Sequence, residues 1–182
     1  MRFDSNYFRR RGNFYPWIKA IFYTLLVKVF FWPKTLLDVG CAKGEFVLGS
    51  HHAGIKSYGI DISNKAIQQV PSRIRNYCRV GNILKIPFKK NSFDLVTSFA
   101  LLEHIPAQMA RQAVSELMRV SKRYVLVQIC DKDSPQELSK NYRKDPTHVN
   151  VATTSWWKRQ FDQWQIDYKE ILPKMGLFLL VV

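Results

Sequence analysis

An apolar strand that closes on a carboxylate and turns at once through two glycines most narrows what this chain can become. It reads Leu36-Leu37-Asp38-Val39-Gly40-Cys41-Ala42-Lys43-Gly44-Glu45-Phe46. The run before Gly40 suits a buried parallel strand and the residues after Gly44 have helical spacing, so the glycines mark a strand–turn–helix junction. Gly40 and Gly44 have no side chain and Ala42 has a minimal one, which lets a ligand approach the backbone. A nicotinamide-binding turn would read G-x-G-x-x-G. Here the order is G-x-A-x-G, with the last glycine one residue too early and Lys43 and Glu45 where small residues would surround a pyrophosphate. A dinucleotide is therefore not expected.

From Thr35 onward, short apolar runs alternate with longer mixed segments, the pattern of strands and helices laid into a mostly parallel α/β sheet. Strands are expected at Thr35–Val39, Ser57–Ile62, Tyr77–Val80, Phe93–Ser98 and Arg123–Ile129. Helical spacing marks Glu45–Ala53, Asn64–Val70, Pro106–Val120 and Ser155–Trp164, with Met109, Ala113, Val114, Leu117 and Val120 forming the apolar stripe of the third. Two closing runs, Gln165–Leu172 and Gly176–Val182, separated by Pro173-Lys174, read as an antiparallel hairpin added to the parallel strands. The 182 residues fit one domain of 35–182 behind a leader of 1–34.

A second carboxylate accompanies the turn. The run Tyr58-Gly59-Ile60-Asp61-Ile62-Ser63 ends the next strand 23 residues after Asp38, near the ~20-residue offset at which an acidic side chain reaches ribose hydroxyls. Gly81-Asn82-Ile83-Leu84 and Ser98-Phe99-Ala100-Leu101-Leu102-Glu103-His104-Ile105 follow the third and fourth strands. Each segment thus falls just after a strand end, where open α/β sheets bind ligands.

This ordered set resembles the class I S-adenosylmethionine-dependent methyltransferases, in particular the small type 11 methyltransferase domains, over about Thr35–Ile129. The resemblance implies a Rossmann-like seven-stranded, mostly parallel sheet with helices on both faces and an antiparallel C-terminal hairpin. It implies S-adenosylmethionine as cofactor, with Asp38, Gly40, Cys41 and Gly44 lining its methionine part and Asp61 holding the ribose hydroxyls. Ile62 would cover one face of the adenine, Asn82 and Ile83 would meet its edge, and Phe99 and Ala100 would lie beneath the sulfonium. Two positions depart from the family pattern: Ala42 replaces the middle glycine, and Asn82 the usual aspartate, whose acceptor role its amide oxygen can still fill.

Methyl transfer from a sulfonium is an in-line displacement needing no metal, and positioning of the acceptor supplies most of the catalysis. A hydroxyl acceptor gains from a general base, for which histidine is best tuned near neutral pH. His51 and His52, after the first helix, read as surface residues. His104 follows the fourth strand and is a candidate base, with ordering of its loop as the alternative role. His148, in Asp145-Pro146-Thr147-His148-Val149-Asn150, is the other candidate, because similar small methyltransferases carry a histidine in that loop; a turn built on Asp145-Pro146 is the alternative account. Trp157, Phe161 and Trp164 share one helical face and read as core, whereas Trp156 points elsewhere and suits a ligand or lipid contact.

The net charge is +14, and residues 1–34 carry seven basic residues (Arg2, Arg9, Arg10, Arg11, Lys19, Lys28, Lys34) against Asp4 alone. Such an excess favours an anionic partner, yet its diffuse spread suits a solvated surface better than a nucleic-acid groove. Trp17–Trp32 reads as a helix of ~24 Å, short of the ~20 apolar residues that cross a bilayer. Lys19 and Lys28 are nine residues apart, hence about 180° apart around the axis, so the helix is expected to be covered on most sides as a lid over the cofactor end. The alternative is peripheral contact with an anionic membrane or a partner protein. Three cysteines, Cys41, Cys78 and Cys130, form neither a disulfide framework nor a zinc pair, and no secretory signal is visible, so a cytoplasmic setting is expected. The expected activity is methylation of oxygen or nitrogen on a small-molecule, glycan or lipid-like acceptor. RNA methylation is the alternative, disfavoured because no base-holding Asn-Pro-Pro-Tyr-like motif follows the fourth strand. A non-catalytic module acting through a partner is the remaining one.

Overall fold

Neighbouring residues on the central strands are buried in opposite directions, as a pleated sheet covered on both faces requires. In the computed structural model, which describes residues 14–129, 146–150 and 152–182, Leu37, Val39, Ile60, Val96, Val125 and Val127 join one apolar cluster. Leu36, Leu95 and Leu126 join another on the opposite face. The chain runs α1 (Phe14–Phe30), β1 (Thr35–Val39), α2 (Glu45–His52), β2 (Lys56–Asp61), α3 (Asn64–Gln68), β3 (Cys78–Val80) and β4 (Phe93–Phe99). There follow α4 (Ala107–Val120), β5 (Ser121–Gln128), α5 (Thr154–Gln163), β6 (Tyr168–Leu172) and β7 (Leu177–Val181). The seven strands lie in the order β3-β2-β1-β4-β5-β7-β6. All neighbours are parallel except β5 with β7 and β6 with β7. The expected sheet and closing hairpin are therefore present.

Local chemistry explains the boundaries. Ser63 accepts from the Ala66 N–H at the start of α3, and Thr153 accepts from the Trp156 N–H at the start of α5, each satisfying a donor that a helix start leaves orphaned. The stripe of α4 is shifted from expectation: Ala110, not Met109, joins Ala113, Val114, Leu117 and Val120 in the core, and Met109 is 40% exposed. Trp157 and Phe161 of α5 are fully buried against the sheet, as their spacing implies, while Trp156 is half-buried with its ring edge-on to Trp157 at 4.9 Å.

The leader differs most from expectation. Its helix begins at Phe14 rather than after Pro16, which places Pro16 in the first turn, where no backbone N–H is needed. It ends at Phe30, two residues earlier than expected, and Trp32 at φ 42° then turns the chain into Pro33. Among the described residues, one face of the helix is buried and the opposite one exposed. Ala20, Tyr23, Thr24 and Val27 are buried, whereas Ile18, Ile21, Leu25 and Val29 are half exposed or more. The inference that lysines on opposite sides demand all-round cover fails because both lysines lie at the flanks of the buried face, not within it. Arg2 and Arg9, Arg10 and Arg11 lie outside the described residues, as do Cys130 and Asp145. No helix among the described residues is long and apolar enough to cross a membrane.

Candidate functional site

The crossovers from β1 lead toward β2 and those from β4 toward β5, so the carboxyl ends of β1 and β4 flank the switch point at which doubly wound sheets leave a crevice. Asp38 and Thr97 are register partners across these two strands. Thr97 Oγ1 donates to Asp38 Oδ1 at 2.8 Å. Asp38 is almost fully buried, and burial raises its carboxyl from the ordinary 3.8 to about 7, with the Thr97 bond opposing and the charges of Asp61 and Glu45 adding to the rise. Among the described residues, no cation is among the groups that shift it. Burial likewise raises Glu45 in the first turn of α2.

Asp61 binds the turn together. Its Oδ2 accepts the Ala42 N–H at 2.9 Å and its Oδ1 the Ser63 N–H at 2.8 Å, while the Gly40 and Cys41 N–H groups both donate to the Ile60 carbonyl. One carboxylate thus joins the loops after β1 and β2. A carboxylate offers about four lone-pair sites and can accept from several donors at once, hydroxyls included.

The fold itself places two demands on the glycines of the turn. Gly40 has φ +86° and a Cβ there would lie 3.0 Å from the Leu101 side chain; Gly44 has φ +80° and a Cβ would lie 2.9 Å from Ile74. The left-handed backbone and the packing of neighbouring elements both demand glycine. Ala42 takes φ 48°, so the missing middle glycine leaves an alanine in a conformation costing about 1–2 kcal/mol. Cys41 turns its side chain into the core beside Cys78, and that contact together with burial raises its thiol well above the ordinary range. Its contribution at the site is therefore its backbone.

The remaining expected residues divide. Ile62 is 56% exposed beside Asp61, an uncovered apolar side chain of the kind that lies on a ring. Asn82 uses its Oδ1 to accept the Leu84 N–H at 2.9 Å, so the oxygen expected to meet the adenine is already engaged and has one lone pair left. Ile83 is buried in the core, and its side chain is packing rather than edge contact. Phe99 stacks on Tyr23 of α1 at 4.0 Å and meets Phe46 edge-on at 5.3 Å. Ala100 follows at φ 51° with its N–H on the Gln128 carbonyl. His51 is half-buried rather than surface-lying, with Nε2 2.8 Å from the Ser57 carbonyl.

His104 and His148, far apart in sequence, are brought together with ring centroids 4.6 Å apart. His104 Nδ1 lies 3.1 Å from the Thr147 carbonyl and 3.0 Å from Thr147 Oγ1. A carbonyl can only accept, so a bond to it takes the proton on Nδ1, the tautomer in which Nε2 carries the lone pair. Glu103, fully buried, completes the group, and its own carbonyl accepts the N–H groups of Val149 and Asn150. Glu103, Thr97 and Thr147 went unnoticed as site residues in the sequence; Glu103 alone had a signal, as the acid directly before a candidate histidine. One ligand atom from each of Glu103, His104 and His148 lies within 4.8 Å of the others, so the trio also has the composition of a two-histidine, one-carboxylate set for a divalent ion.

A family described as a methyltransferase domain matches residues 37–127. An uncharacterised protein of Methanocaldococcus jannaschii is 30% identical over 131 residues, covering 71% of this chain and 56% of its own length. An uncharacterised methyltransferase of Schizosaccharomyces pombe is 28% identical over 158 residues, covering 75% of this chain and 56% of its own. The chain thus spans little more than half the length of such relatives. Among solved structures, a SAM-dependent methyltransferase of Archaeoglobus fulgidus superposes with a TM-score of 0.74 at 21% identity, covering 91% of this chain and 76% of that one.

Proposed function

The chain belongs to the methyltransferase domain family, and from that premise we propose that it binds S-adenosylmethionine and transfers its methyl group to a small-molecule acceptor of hydrophobic character. The observation that carries this reading is the pair of carboxylates at adjacent strand ends. Asp38 is buried and, among the described residues, no cation is among the groups that shift it, and Asp61 presents a carboxylate that joins the loops after both strands. A ligand bearing a positive charge beside a ribose diol answers both. When bound, S-adenosylmethionine supplies an already activated methyl group.

The residues of this chain bind and orient. Asp38 stabilises a cationic amino group at the end of β1, and Asp61 accepts the two ribose hydroxyls while holding the Ala42 and Ser63 N–H groups. Ile62 covers the base. On the acceptor side, His104 Nε2 takes the proton that a hydroxyl loses as it attacks, and Glu103 and His148 beside it stabilise the imidazolium. Support for a hydrophobic acceptor comes from relatives: a probable tocopherol O-methyltransferase of rice is 33% identical over 121 residues, and a demethylmenaquinone methyltransferase of Lactiplantibacillus plantarum is 31% identical over 115 residues.

A tritiated-methyl transfer screen against total RNA, lipid extract and metabolite pools tests the proposal. Counts are expected in the lipid or metabolite fraction. Counts confined to RNA would replace the acceptor class, and absence of cofactor binding by calorimetry would overturn the reading as a whole.

A further inference from the structure

The outward side of α1 carries an apolar stripe that stands exposed among the described residues. At 100° per residue, Ile18, Ile21, Phe22, Leu25 and Val29 fall within an arc of about 100°. Ala20, Tyr23, Thr24 and Val27, the buried residues, fall within an equal arc on the opposite side. Leu25 is 59% and Val29 67% exposed, and Trp17 and Trp32 stand exposed near the two ends. Lys19 and Lys28 flank the stripe, one on each side, and the Lys28 ammonium rests 4.1 Å from the centroid of the Trp32 ring. The sequence just before the helix is Arg9-Arg10-Arg11, within a chain of net charge +14.

We propose that α1 docks in the plane of an anionic lipid surface, with the Ile18–Val29 stripe in the boundary between headgroups and acyl chains and the lysines reaching the phosphates. Three features favour this occupant. The helix of 17 residues is ~25 Å long at 1.5 Å per residue, enough to lie in the interface and too short to span it. Lysines on both margins place their stems along apolar surface and their charges in the headgroup layer, the snorkelling arrangement. A second copy of the chain meeting the same stripe would bring Lys19 and Lys28 against like charges, which opposes self-association and favours an anionic surface. The docking does not depend on the methyl-transfer reading, although Tyr23 of the same helix stacks on Phe99 at the site, so a docked α1 would hold the site beside its lipid surface.

The test is co-sedimentation of the full chain with vesicles of phosphatidylcholine alone and of phosphatidylcholine with about a third phosphatidylserine. The variant Ile21→Ser/Leu25→Ser/Val29→Ser removes three exposed side chains, and a thermal melt like that of the wild type shows that the fold is intact. The wild type is expected to pellet with the anionic vesicles and to be released by high salt, because charges at the surface are screened within a Debye length. The triple variant is expected to bind at least tenfold more weakly, and Lys19→Gln/Lys28→Gln several-fold more weakly. A wild type that stays in the supernatant, or a triple variant that pellets equally well, overturns the proposal. So does a wild-type dimer by light scattering that the triple variant converts to monomer, since the stripe would then be an interface between copies.

Discussion

Replacing Asp61 with Ala removes an acceptor that serves two purposes, and the magnitudes separate them. Its carboxylate accepts the Ala42 and Ser63 N–H groups at 2.9 and 2.8 Å, and the same carboxylate is the one assigned to the ribose diol. A hydrogen bond to a charged group contributes about 1.5–3 kcal/mol, so the loss on the ligand side is ~3–6 kcal/mol, or about 10²-fold to 10⁴-fold in affinity at 1.4 kcal/mol per decade. The ligand-free protein should also lose about 1–2 kcal/mol, because water replaces part of what the two N–H groups lose at this half-exposed position. Asp38 should titrate lower, because Asp61 is one of the charges that raise it, yet stay above its ordinary value because burial is the main cause. Calorimetry with S-adenosylhomocysteine measures the first effect, thermal unfolding the second, and carboxyl-carbon NMR the third. Asp61→Asn, which keeps one carbonyl oxygen, should fall between wild type and Ala in affinity. Affinity within threefold of wild type in a folded Asp61→Ala protein would refute the assignment of the ribose site.

Other expectations follow from the same geometry. Because the Asp38 carboxyl is raised from 3.8 to about 7 in the folded state, its neutral form stabilises the fold fully below about pH 4. That contribution, on the order of 4 kcal/mol, is lost as pH rises through about 7; Asp38→Asn should flatten the dependence of unfolding free energy on pH over that window, and an unchanged slope would show that Asp38 is not the group responsible. Binding of a cationic ligand should release a proton from Asp38 below pH 7, so affinity should climb with pH toward 7, and calorimetry in buffers of different ionisation enthalpy reads the proton count. His104→Ala should lower turnover about 10²-fold or more with cofactor affinity near wild type, and a chelator should leave turnover unchanged; loss on chelation with recovery on adding a divalent ion would instead make Glu103, His104 and His148 a metal site. Ala42→Gly should be neutral or stabilise by up to about 1 kcal/mol in thermal melts, since relief of φ 48° is partly offset by glycine's greater freedom in the unfolded chain.

The local alternation of apolar runs and helical stripes, which depends only on near neighbours, made the order of elements and both carboxylates legible from residue types alone. Asp38 and Asp61 could be picked out because each follows an apolar strand at a readable offset, and the closing hairpin because Pro173 separates two β-rich runs. Tertiary structure decided what depends on contacts between distant segments. It brought His104 against His148 and buried Glu103 with them, turned Cys41 into the core, and engaged the Asn82 oxygen in its own turn. It also decided which side of α1 is covered. Helical periodicity places Lys19 and Lys28 on opposite sides of the axis, but only the sheet beneath shows that the buried arc lies between them on one side and the bare apolar stripe on the other, because burial is set by what packs against a face and not by the residues that compose it.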